Sequence, residues 1–113
     1  MKVTHVFMAL ATADHAAALG WYARLFGRGP DMVPTECEAV WRLASFASVY
    51  VVADTDRAGQ AALTIAVRDV DELLGDLQGR GIVATIAMEA EMRTAVVVDP
   101  DGNRIKFFED PAS

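Results

Sequence analysis

The side chains suited to chemistry are few, and their spacing limits what they can do. The chain has two histidines, His5 and His15, and one cysteine, Cys37. No Cys or His cluster has metal-ligand spacing, and no glycine-rich loop is built to cradle a phosphate. Cys37 stands between Glu36 and Glu38, the wrong electrostatic setting for a nucleophilic thiol. Lys106 is more informative, because Ile105, Phe107 and Phe108 flank it in a strand-like run. An ammonium group in a partly apolar hollow can hold an anionic ligand or, once deprotonated, serve as base or nucleophile. The plainer alternative is an ion pair with Glu109 or another acid, or a side chain that snorkels to water. Arg42, Arg93 and Arg104 are anion handles on the same reasoning, or simply solvent-facing charges.

A hairpin over 93–109 sets where several of these residues stand. Asp99, Pro100, Asp101, Gly102 and Asn103 form its turn. Pro100 presets φ, Asp99 accepts hydrogen bonds from the turn backbone, and Gly102 supplies a positive φ. Upstream, the pattern predicts a strand over 3–12, a helix over 14–26 capped by Asp14, a loop over 31–38, and strands over 39–44 and 47–53. Ala18, Trp21, Tyr22, Leu25 and Phe26 make the helix's apolar stripe. A polar connection at 54–60 leads to a strand over 61–67. A second helix follows, capped by Asp69 with Glu72 in a capping box, and then a strand over 82–88.

The order is β-α-β-β-β twice, with Asp14 and Asp69 at equivalent junctions and Gly20 and Gly75 at the same offset. The fold class is α+β: one domain over residues 1–113, its modules spanning 3–54 and 61–110. Neither half can cover its apolar sheet face alone. Side by side, the two make a curved mixed sheet with helices on the convex side and a hollow inside.

At 113 residues and 53% hydrophobic, the chain is large enough for one real core. A net charge of −6 with scattered basic residues argues against a nucleic-acid surface. No apolar run reaches the length of a membrane span, so no membrane partner is expected. A lone cysteine cannot form an internal disulfide, which suits the cytoplasm. Lys2, the apolar stretch after it and Ala11-Thr12-Ala13 superficially resemble a secretory signal. Thr4 and His5 interrupt that stretch, and a strand entering a helix cap describes it better.

The element order, Trp21-Tyr22 followed by Leu25-Phe26-Gly27, and the turn at 99–103 together resemble the vicinal oxygen chelate superfamily. That superfamily includes glyoxalase I, extradiol dioxygenases, fosfomycin-resistance transferases and bleomycin-resistance proteins. The resemblance covers residues 3–109. It implies paired βαβββ modules, a cavity inside the curved sheet, and a homodimer. It also implies metal-ligand positions on the first strand of each module and on the strand after the late turn, where the family's enzymes place His, Gln or Glu. Here those positions hold Phe7, Ala62 and Lys106. Two hydrocarbons and an ammonium offer a cation nothing, so no metal or other cofactor is expected. One alternative keeps a metal by moving the ligands to His5, which shares a strand face with Phe7, and to Glu109, Glu38 or Glu91.

Strand parity gives the expected lining of the hollow: His5, Phe7, Ala62, Thr64, Lys106 and Phe108, with Ala9, Ala66 and Arg104 beside them. Trp41, Leu43, Tyr50 and Val52 join from the middle strands. Such a lining suits an apolar or aromatic molecule with one polar handle; the same residues also serve as ordinary packing. The expected function is metal-independent binding of a small organic molecule by a homodimer, as bleomycin-resistance proteins sequester a drug. The alternatives are an enzyme and a structural or regulatory dimer with a filled core. As an enzyme it would be a lyase or oxidoreductase with relocated ligands, or a metal-free acid–base catalyst using Lys106 or His5.

Overall fold

The structure, a computed structural model, describes residues 1–110. The elements are β1 (Val6–Thr12), α1 (His15–Phe26), β2 (Met32–Thr35), β3 (Glu38–Ala44), β4 (Ala47–Ala53), β5 (Ala62–Val67), α2 (Val70–Gly79), β6 (Thr85–Glu89), β7 (Met92–Val98) and β8 (Arg104–Glu109). They build two four-stranded mixed sheets of matching order, β1-β4-β3-β2 and β5-β8-β7-β6. Both βαβββ modules are therefore present, each as its own sheet. The first strand of each runs parallel to the last and the other pairings are antiparallel, which leaves β1 and β5 as edges.

Local signals set both helices. The Asp14 carboxylate accepts from the Ala17 N–H at 3.1 Å, and α1 stops at Gly27 with φ 75°. Asp69 caps α2 in the same way, accepting from the Glu72 N–H at 3.0 Å. At the far end of α2 the Ile82 N–H bonds the Leu77 carbonyl at 2.9 Å and the Gly81 N–H bonds that of Gln78 at 3.2 Å, with Gly81 left-handed. This closure pins Ile82 into the core as a loop residue. Hence β6 begins at Thr85 and not at 82.

The stretch 31–38, expected as a loop, contains a strand. β2 pairs with β3 at Met32–Val40 and Thr35–Glu38, and all four of its residues are exposed. An outermost strand has one free side, so Pro34 and its missing N–H are tolerated there. Proline and polar flanks are what disguise it in the sequence. His15, the first residue of α1, is half-buried.

One core lies on the helix-covered faces. The first sheet contributes Leu10, Trp41, Val49 and Val51, the second Ala95, Val97, Ile105 and Phe107, and Tyr22, Leu25, Val70 and Leu77 close it from the helices. Each large apolar side chain buried here contributes about 1.5–3 kcal/mol. Arg80, just beyond α2, donates to the Arg24 and Leu25 carbonyls at 3.0 and 2.8 Å. A cation thus sits at the negative end of α1 and ties the modules together.

Candidate functional site

The turn before β8 anchors that strand to the rest of the molecule. Asp99 Oδ1 accepts from the backbone N–H groups of Asp101, Gly102 and Asn103, each at 2.9 Å. Asp99 Oδ2 accepts from the Tyr22 hydroxyl at 2.6 Å and the Asn103 amide at 2.7 Å. The same amide nitrogen reaches the Ala11 carbonyl at 2.8 Å, and the amide oxygen takes the Ala61 N–H at 2.9 Å. One carboxylate and one amide therefore join α1 and the ends of β1, β5 and β8. Tyr22 is fully buried. Burial first, then the hydrogen bond to Asp99, raises its phenol far above the usual range. Asp99's role in the turn is legible in the sequence; its bond to Tyr22, far away in the chain, is not.

Register decides which side chains leave the helices. Leu10, Val49, Val51, Ile105 and Phe107 face the core, so their alternates in each strand face the opposite, open side. Phe7, Tyr50, Ala62, Thr64, Lys106 and Phe108 all lie on that side, with His5 just before β1 beside Phe7. Trp41 does not. It pairs with Val49 while Tyr50 pairs with Val40, so the two aromatics point to opposite faces. Trp41 is fully buried beneath α1, near Tyr22 and Phe26, and its indole N–H donates to the Arg28 carbonyl at 2.9 Å. Leu43 shares its parity and borders an apolar gap of about 370 Å³ between the first sheet and β5, together with Val6, Met8 and Phe46.

The open faces form two separate cups. One, of about 310 Å³, is lined by His5, Phe7, Met32, Val40, Arg42 and Ser48, with Asp31 at its edge. There the His5 ring lies 4.6 Å from that of Phe7, and its Nε2 is 2.8 Å from the Ser48 hydroxyl. Hydrogen bonds from the Arg28 guanidinium and the Arg42 N–H hold the exposed Asp31 carboxyl below the usual carboxylate range. The other cup, of about 240 Å³, is lined by Ala62, Leu63, Thr64, Glu89, Val96, Arg104 and Lys106. His5 and Lys106 thus stand in different cups. Glu89 pairs with Lys106 at 3.4 Å, a partner the sequence conceals because it arrives from β6.

The donor set does not fit a divalent cation. Phe7, Ala62 and Lys106 carry no available lone pair at neutral pH, and among the described residues no three His, Cys, Asp or Glu side chains are grouped to hold a metal. Nor does His5 form such a group with Glu109, Glu38 or Glu91 among the described residues; Glu109 accepts from the Val70 N–H at 3.1 Å, and Glu38 from the Thr35 hydroxyl at 3.2 Å. No helix among the described residues is long and apolar enough to cross a membrane.

No protein-family model and no curated protein matches the sequence. Solved structures do. The glyoxalase/bleomycin resistance protein from Catenulispora Acidiphila DSM 44928 has a TM-score of 0.90 and 38% sequence identity, over 95% of this chain and 98% of that one. TnmS3, an antibiotic binding protein from Streptomyces sp. CB03234, has a TM-score of 0.76 at 22% identity, over 96% and 98%. Lactoylglutathione lyase from Agrobacterium tumefaciens has 0.78 at 17%, over 99% and 97%. The last two likenesses are of fold alone. With the first, sequence and backbone agree along nearly the whole length, and the chain belongs to the glyoxalase/bleomycin resistance protein family.

Proposed function

We propose that this protein binds a small organic molecule without a metal, on the open faces of its sheets, as a homodimer. The observation that carries the reading is the combination at the ligand positions and around them. The side chains there cannot hold a cation, while each cup joins apolar groups, Phe7, Met32 and Val40 in one and Ala62, Leu63 and Val96 in the other, to polar and charged ones. That is a lining for sequestration, which needs affinity and no chemistry. TnmS3, which shares the fold, is an antibiotic binding protein. His5 and Lys106 line different cups, so acid–base catalysis, the alternative reading, would rest on one of them alone.

A second copy completes the arrangement. β1 and β5 are unpaired edges, and apolar side chains crowd β1 and the β3–β4 turn: Val6, Phe7 and Phe46 are 51%, 58% and 63% exposed. Unpaired edges next to exposed apolar surface invite pairing with another chain. A partner laid along β1 gives the cup of the first sheet a further wall.

The test is a thermal-shift screen with aromatic and apolar compounds, run with and without chelator. A ligand at a hundredfold excess over its Kd adds about 2.7 kcal/mol and raises Tm by several degrees. The expected shifts survive chelation. Shifts that vanish with chelator and return with a divalent metal, or no shift from any compound, overturn the proposal. Sedimentation equilibrium is expected to give twice the 12.2 kDa chain mass; a monomer at tens of micromolar removes the dimer from it.

A further inference from the structure

Within that reading of a metal-free container, we infer that the cup of the second sheet selects organic anions: a carboxylate or sulfonate head on an apolar body. Arg104 and Lys106 are two residues apart on β8 and face the same way, roughly 7 Å from each other along the strand. Both line one cup, in a chain whose net charge is −6. A local pair of cations in an acidic protein is a recognition feature that bulk composition does not predict.

Neither cation is tied up. Lys106 meets Glu89 at 3.4 Å, with side chains 38% and 54% exposed, and so open an ion pair is weak. An incoming anion takes Glu89's place at little loss. Arg104 is exposed and makes no ion pair among the described residues. Thr64 stands beside Lys106 in the β5–β8 register and adds a hydroxyl donor. The remaining wall, with Ala62 and Val96, is apolar and suits the ligand's body. The other cup differs. Its Arg42 guanidinium is turned to the Ser45 carbonyl at 2.9 Å, and the Asp31 carboxylate at its edge repels anions.

The probes are 1-anilinonaphthalene-8-sulfonate and its uncharged parent N-phenyl-1-naphthylamine, titrated by fluorescence into the full chain. The sulfonate is expected to bind more tightly than the parent. Lys106→Met weakens the sulfonate about tenfold, as loss of one charge-assisted contact requires, and leaves the parent within about twofold. Glu89→Gln, which removes the competing carboxylate, strengthens the sulfonate. Both sites are partly exposed on a strand, so neither variant threatens the fold. Equal binding of the two probes, or a Lys106→Met effect of the same size on both, overturns the anion handle and leaves the container intact. If neither probe binds at all, the container reading falls and this one with it.

Discussion

Tyr22→Phe removes one hydroxyl from the buried junction of the two modules and nothing else. The lost bond, 2.6 Å to Asp99 Oδ2, runs to a charged acceptor, and such bonds contribute about 1.5–3 kcal/mol net. Asp99 Oδ2 keeps the Asn103 amide at 2.7 Å, so the carboxylate is not stranded. The lower end applies, about 1.5–2 kcal/mol, or a fall in Tm of about 6–8 °C. The pH dependence adds a sharper check. The folded phenol is raised above its unfolded value of about 10, chiefly by burial. Its contribution is therefore complete below pH 10 and is lost above it, as the unfolded chain ionises and the folded one does not. By pH 11 about 1.4 kcal/mol has gone from the wild type and none from Tyr22→Phe through this group, so the gap between them nearly closes. Urea unfolding at pH 7, 10 and 11, at fixed protein concentration, measures it. A gap below about 0.5 kcal/mol at pH 7, well under the value of a charged hydrogen bond, rules out this role for the Tyr22 hydroxyl. So does a gap unchanged at pH 11.

Other substitutions probe separate parts of the fold. Gly59→Ala is expected to destabilise by more than about 2 kcal/mol, because φ there is 79° and an added Cβ lies 2.1 Å from the Asp101 carbonyl oxygen; a Tm within a degree of wild type contradicts this. Gly75→Ala, inside α2 with nothing near the new methyl, gains about 0.5–1 kcal/mol from helix propensity, read in the same melts. In the β6–β7 turn, Ala90 and Glu91 have φ of 50° and 65°, so Glu91→Gly relieves strain and raises stability by about 0.5–1 kcal/mol; a lower Tm rejects it. Arg80→Met strips two charged bonds from the end of α1 and lowers stability by about 1–2 kcal/mol in denaturant titrations. No change there means the cation is idle.

Features that depend on near neighbours are legible in the residues alone. Asp14 and Asp69 announce their helices because a cap needs only the N–H three residues on. The 99–103 turn is legible because Asp99 bonds its own next residues and Gly102 takes φ 106°. Alternation within a strand sorts its residues into two faces, which is why Ala62 goes with Thr64 and Lys106 with Phe108; that the two pairs share a face is set by the β5–β8 register. Features that depend on pairing between strands are set only when the chain packs. Whether Trp41 or Val40 faces the core rests on the β3–β4 register, and a slip of one residue exchanges them. The strand at Met32–Thr35 exists because β3 offers it an edge. Tyr22 with Asp99, and Lys106 with Glu89, are brought together only when the elements pack. Local signals act over a few residues at little entropic cost, while these contacts close long loops and form only with the whole fold.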